Sequence, residues 1–280
     1  MKDIETVANA VMLMDKQLRE ELFVKNGKVQ AKKLWENTYI KRQIDRRNSG
    51  GVFTVSDHIR GMVYAMLTSG ATWNRLEPYI DISTGQIVVV DEIFCQYSVD
   101  DLLNADSEIL VNKIKKYRLG TPYIRNQIDA IIGKNIRKLL SLEMMYGSID
   151  NFYRIFACKG DNLKTLVKEL SAFGKHHKFA QLGEAMTAEY LKNVGYDIGK
   201  PDRHICRILG GEYFGYSIRK NASPDEVIDT IAAIAKNINK SAAETDYILW
   251  AYCAKGFGEV CTKKNPKCDI CVANTSCINF

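Results

Sequence analysis

Half of the chain's eight cysteines fall in its last twenty residues, as Cys261, Cys268, Cys271 and Cys277. Four thiols within seventeen residues bring the chain back to one point, and short loops that return in this way surround a metal centre. A disulfide framework is unexpected in a chain of 280 residues whose N-terminus reads as no secretory signal. The spacing is C-x6-C-x2-C-x5-C. Iron–sulfur clusters are commonly held by four cysteines, and zinc sites of four cysteines are common too. Zinc ribbons usually pair two C-x2-C knuckles, whereas only Cys268 and Cys271 form one here. Cys95, Cys158, Cys206 and Cys253 are scattered along the rest of the chain.

A chain with 46% hydrophobic residues can build a substantial core around such a loop. No apolar run approaches the ~20 residues that cross a bilayer, so no membrane partner is expected. Val7–Met14 is interrupted by Asn9 and followed by Asp15, Lys16, Arg19 and Glu20, and it reads as an amphipathic helix rather than a targeting segment. The expected location is intracellular: cytoplasmic and nucleoid-associated if the source is prokaryotic. A formal charge of +6 suits a polyanionic partner, though many basic proteins bind no nucleic acid.

The periodicity is helical almost throughout, and the expected class is all-α. Helices are predicted over Ile4–Leu22, Val55–Thr68, Val99–Lys116, Tyr123–Tyr146, Leu163–Ala172, Glu184–Val194, Asp202–Leu209 and Pro224–Tyr252. Cap signals support several of them, among them Ser98, Asp202 after Pro201, and Ser223 before Pro224. Gln86–Val90, after Ser83-Thr84-Gly85, is the best strand candidate. Breaks are predicted at Arg46–Gly51 and at Gly195–Pro201.

The second constellation runs from Phe179 to Leu209. Gly183 stands just before an amphipathic helix, and a glycine-bearing turn between helices can present main-chain N–H groups to a phosphate. On spacing alone an ordinary helix–helix turn is the better reading. Asp202 follows Pro201 at a helix start, where an aspartate is first of all an N-cap.

The cysteine spacing is similar to that of the endonuclease III group of helix-hairpin-helix DNA glycosylases. Phe179–Gly183 resembles the turn motif of that superfamily, and Pro201-Asp202-Arg203-His204-Ile205 resembles the segment that carries its aspartate. Tyr190–Gly195 looks like archaeal 8-oxoguanine glycosylases in particular. Met66–Trp73 resembles the segment facing the extrahelical site. The likeness spans roughly the last four-fifths of the chain and leaves Met1–Gly51 uncovered.

That resemblance implies a two-lobed helix-hairpin-helix glycosylase fold with an iron–sulfur cluster domain and a DNA cleft between the lobes. One lobe would be a helical bundle over 54–194. The other would combine 1–53 with 195–280. It implies a [4Fe-4S] cluster on Cys261, Cys268, Cys271 and Cys277. Lys263, Lys264 and Lys267 would meet DNA phosphates, as would the hairpin at Gln181 and Gly183. Trp73 would wedge into the duplex or stack on a base, with core packing as the commoner fate of tryptophan. Asp202 would stabilise the positive charge that builds on the sugar and activate a water.

The pattern also departs from the family. Counting from Gly183, the nucleophilic lysine of bifunctional members falls on Ala185, or on Met186 with a one-residue shift, and neither is a nucleophile. Gln181 and Ala180 stand where the family often has glycine and proline. The polar gap-filling residue would fall near Gly70. Tyr64 lies near the place of the glutamate of adenine glycosylases. The expected activity is therefore a monofunctional glycosylase of base excision repair, acting as a monomer on double-stranded DNA with a damaged or mispaired base. A non-catalytic DNA-binding protein of this fold, a bifunctional lyase using a displaced lysine, and a zinc-stabilised nucleic-acid-binding module are the alternatives. The residues leave the lesion open.

Overall fold

A computed structural model describes residues 3–68, 73–157 and 163–278. Helix dominates them. In chain order the α-helices are α1 (Ile4–Gln17), α2 (Tyr39–Asn48), α3 (Val55–Thr68), α4 (Trp73–Leu76), α5 (Val88–Ile93), α6 (Val99–Leu103), α7 (Ser107–Lys116) and α8 (Ile124–Ala130). There follow α9 (Ile136–Tyr146), α10 (Ile149–Ala157), α11 (Lys164–Ser171), α12 (Glu184–Asn193), α13 (Arg203–Ile208), α14 (Pro224–Asn237) and α15 (Ala242–Cys253). Among the described residues, none of these helices is long and apolar enough to cross a membrane.

Where one long helix was predicted, capping chemistry often makes two. The stretch 99–116 divides because the Asp106 side chain accepts from Glu108 N at 2.7 Å and starts α7. The stretch 224–252 divides because Asn239 turns left-handed (φ 53°) and the Ser241 hydroxyl accepts from Glu244 N at 3.0 Å, which starts α15. At the head of α14 Ser223 and Glu226 form a complete capping box.

The predicted strand Gln86–Val90 is a correction. Only Ile87 pairs, in an isolated bridge with Ile80, and Val88–Ile93 is helix. Burial of Val89, Val90 and Ile93 overrides the β preference of the valines. A small hairpin was not foreseen: Val24–Lys25 pairs antiparallel with Lys28–Val29 across Asn26-Gly27. Both turn residues have positive φ (52° and 72°), the geometry that Asn-Gly favours.

The chain divides into two compact units, one of Met1–Thr38 with Asp197–Phe280 and the other Tyr39–Tyr196. In the first, α1 lays Val7, Val11 and Met14, with Leu18 directly after it, into a core shared with Val227, Ile231 and Ile234 of α14 and Ile248, Leu249 and Tyr252 of α15. Lys240 binds Asp15 of α1 at 3.1 Å and Glu244 of α15. The N-terminal helix is therefore structural material for the cysteine-bearing unit.

In the second unit α3 is buried almost all round, through Ile59, Met62, Val63, Ala65 and Leu67, and packs on α12. The break expected at Arg46–Gly51 is the tight end of α2, where Gly51 N donates to Arg46 O at 2.8 Å. The division falls at Thr38 instead, because Arg47 ties α2 to this unit: Nε donates to Val194 O at 2.8 Å, and Nη2 meets Asp150 at 3.0 Å. Gly195 (φ +83°) completes the join, since a Cβ there would lie 2.4 Å from Gln43 O.

Candidate functional site

The connection from α11 to α12 is held from within by two lysines and an asparagine. Lys178 Nζ donates to Ser171 O at 2.6 Å and to Leu182 O at 3.0 Å. Lys138 Nζ donates to His176 O and Lys178 O, at 2.9 and 2.8 Å. Asn135 clamps Ala180 on both sides, accepting from its N at 2.8 Å and donating to its O at 3.0 Å. Burial pushes both lysine ammoniums below their ordinary pKa, with Lys178 adding to the effect at Lys138. Phe179 and Leu182 are fully buried, and Gln181 and Gly183 between and after them are exposed.

Gln181 is left-handed, at φ 60°. The turn thus needs the conformation that glycine adopts freely, which is why glycine suits this place and glutamine strains it. Gly183 is the extended N-cap of α12, and no side chain caps that helix. Its first-turn amides lack a side-chain cap, and Glu184 places a carboxylate in the same turn. Ala185 and Met186, where the resemblance would place a nucleophilic lysine, are both half-buried.

Asp202 is the N-cap of α13. Its Oδ1 accepts from His204 N at 2.8 Å and Ile205 N at 3.1 Å, and its side chain is half-buried. Five residues on, the buried Arg207 reaches the cysteine loop. Nη1 donates to Thr262 O at 3.2 Å and lies 3.9 Å from Cys261 Sγ, and Nη2 donates to Cys261 O. One short helix therefore carries the candidate carboxylate at its head and the grip on the first cysteine near its end.

The loop is anchored at both ends on Tyr252. The Tyr252 carbonyl accepts from Val260 N and Cys261 N, and its hydroxyl accepts from Val272 N at 3.2 Å. That hydroxyl donates to Gln17 Oε1 at 2.6 Å, and Gln17 Nε2 donates to Ile270 O at 2.9 Å. Lys267 N donates to Val260 O and closes the basic segment, in which Lys263, Lys264 and Lys267 are all exposed. Cys261, Cys268, Cys271 and Cys277 are each half-buried. The buried Cys253 thiol donates to Cys261 and, with Arg207, brings the Cys261 thiol down to about 7. Burial pushes Cys271 up, with lesser like-charge contributions from Cys261 and Cys277.

Among the described residues no three His, Cys, Asp or Glu side chains are gathered as a ready ligand set. The loop carries four thiols with a guanidinium against the first, a donor set that iron–sulfur and zinc sites both use.

Trp73 heads α4 and is half-buried. Gly70 and Cys158 lie outside the described residues. Sequence reasoning missed Gln17, Asn135, Lys138 and Arg207 as holders of the hairpin and the loop. It also missed Asp91, a buried carboxylate whose Oδ1 accepts from Tyr64 Oη and Tyr97 Oη, both at 2.7 Å. Burial pushes Asp91 above its ordinary range. Its signal in the sequence was weak: Asp91 follows three valines but is itself followed by Glu92, so the pair reads as an ordinary acidic helix start. Comparisons with protein-family models, curated proteins and solved structures return no match for this chain.

Proposed function

We propose that this protein is a DNA glycosylase that hydrolyses the bond between a flipped damaged or mispaired base and its sugar, without cutting the strand. The observation that carries the reading is the build of α13, with Asp202 fixed by two amides at its head and Arg207 holding the basic cysteine loop. The motif resemblance at Phe179–Gly183, Pro201–Ile205 and the four cysteines supplies the reaction class.

Cleavage of an N-glycosidic bond builds positive charge on the sugar. Two amide donors hold Oδ1 of Asp202, which leaves Oδ2 to face that charge or take a proton from the attacking water. The base must leave the stack before it can be reached, and phosphate contacts on both sides of it resist the recoil of the bent duplex. Lys263, Lys264 and Lys267, exposed in the unit that carries Asp202, are suited to phosphate contacts. Cys261, Cys268, Cys271 and Cys277 would hold a [4Fe-4S] cluster. Bound there, it would cross-link the loop and keep the lysine segment in one shape.

Water is the nucleophile in this account. Lys178 donates to two carbonyls, Lys192 is buried against Glu189 at 2.9 Å, and Lys175 pairs with Glu169 at 3.3 Å. A lyase that used Lys175, Lys178 or Lys192 would first have to break the attachment that holds it. Borohydride trapping on lesion-bearing duplex checks this, and no covalent adduct is expected. Base release by the parent and its loss in Asp202→Asn, with duplex binding kept, tests the catalytic claim against a non-catalytic DNA-binding protein.

A further inference from the structure

Cys253 is the last residue of α15 and is buried, at 2% relative accessibility. A buried cysteine ordinarily acts as a small apolar side chain, but this one has a second sulfur beside it. Beyond it the chain turns through Gly256 (φ +86°) and comes straight back. Gly258 N donates to Ala251 O at 2.9 Å, Val260 N to Tyr252 O at 2.9 Å, and Cys261 N to the same carbonyl at 3.2 Å. Three main-chain bonds thus set Cys261, the first cysteine of the loop, against the helix end that bears Cys253. The side chains meet there, the Cys253 thiol donating to the Cys261 sulfur.

The pair is unequal in access. Cys261 is half-buried, whereas Cys253 is closed off from solvent. A dissolved oxidant therefore meets Cys261 first, and Cys253 is the thiol already in place to resolve the product. Cys261 is also one of the four proposed ligands, and it is the thiolate that binds a metal. A bond from Cys253 to Cys261 and a metal held by all four loop cysteines exclude each other.

We propose that Cys253 and Cys261 form a disulfide that closes the metal site when no metal occupies the loop and the surroundings are oxidising. This rests on the reading of the four loop cysteines as metal ligands, and it gives a task to a fifth cysteine outside the loop. The oxidant is a small-molecule disulfide such as oxidised glutathione. The Cys261 thiolate attacks one of its sulfurs, forms a mixed disulfide and releases one glutathione thiolate. Cys253 then gives up its proton and attacks Cys261 Sγ, which releases the second. Two protein thiols are oxidised, one glutathione disulfide is reduced, and the two protons end on the two glutathiones.

The test strips metal from the full chain with a chelator under reductant, removes both, and equilibrates the protein across ratios of oxidised to reduced glutathione. Free thiols are blocked, the chain is digested without reduction, and linked peptides are identified by mass. The Cys253–Cys261 link is expected to form first as the ratio rises, ahead of Cys268–Cys271. In Cys253→Ser the resolving thiol is gone, and Cys261 is expected to keep its glutathione instead. Cobalt(II) reports on the site. The reduced parent is expected to show thiolate-to-cobalt absorption, the oxidised parent to lose it, and dithiothreitol to return it. Links confined to the four loop cysteines, or a Cys261 that stays glutathionylated in the parent, overturn the disulfide and leave the metal reading standing. A reduced parent that takes up no cobalt overturns both, whatever links form.

Discussion

Asp202 caps α13, and the proposed mechanism gives it a second job that ordinary substitutions separate from the first. Asparagine is as good an N-cap as aspartate, so Asp202→Asn keeps the start of α13 while removing the charge. Base release is expected to fall by about a thousandfold with thermal stability unchanged. Asp202→Ala is expected to lose activity and in addition about 1 kcal/mol of stability, measured by denaturant unfolding. Gln181 gives a prediction of opposite sign. It sits at φ 60°, where a non-glycine residue costs about 1–2 kcal/mol, and glycine returns part of the gain as chain entropy. Gln181→Gly is expected to stabilise the protein by about 0.5–1 kcal/mol in a thermal melt. A loss of stability would mean that the exposed glutamine side chain holds the turn.

His58 is wholly buried, with Nδ1 2.6 Å from Tyr190 Oη, which in turn meets Tyr153 Oη at 2.6 Å. Burial pulls its pKa from 6.5 down to about 4. Above pH 6.5 the imidazole is neutral whether the chain is folded or not. As pH falls from 6.5 toward 4 the unfolded chain takes up a proton that the folded chain refuses, so stability is lost across that window. The loss is about 3 kcal/mol from this one residue, at about 1.4 kcal/mol per pH unit. Urea unfolding at a series of pH values checks it. His58→Gln is expected to be less stable at neutral pH and flatter through that range.

At the scale of elements, the cysteine loop is held by residues far from it in sequence. Arg207→Met would leave the carbonyls of Cys261 and Thr262 without their charged donor, at a cost of about 2 kcal/mol. Under the proposed cluster assignment it is expected to lower the iron retained per chain on purification, and Arg207→Lys is expected to restore part of it. Unchanged iron content in Arg207→Met would mean that the loop organises itself without α13.

The helices and the cysteine spacing were legible in sequence because each depends on neighbours a few residues apart. Asp202 as an N-cap was legible for the same reason. What was not legible depends on distant partners. Nothing near Arg207 announces that it will meet Thr262, and nothing near Asn135 announces Ala180. The valines at 88–90 read as strand because burial, which made them helical, is decided by the rest of the unit. The Asn26-Gly27 hairpin was readable in principle, but its strands are only two residues each and gave no alternation to notice.

The whole molecule explains why the first 38 residues are present. They supply α1 to the core that carries the cysteines, and Gln17 directly holds Ile270 O and Tyr252. The two chain ends thus fold together, and the 39–196 unit is an excursion between them. Deleting 3–38 is expected to expose Ile231, Ile234 and Leu249 and to lose the cysteine unit as a whole. The readout is iron content together with cooperative unfolding, and survival of both would contradict the assignment of α1 to that core.

The measurement that tests the central claim most directly is base release from duplexes bearing alkylated, oxidised, deaminated or mispaired bases, each run with and without mild alkali. The account predicts strand breaks only after alkali on at least one duplex, and none from Asp202→Asn. Breaks without alkali would contradict the water mechanism. Duplex binding with no release on any substrate would contradict the catalytic role of Asp202.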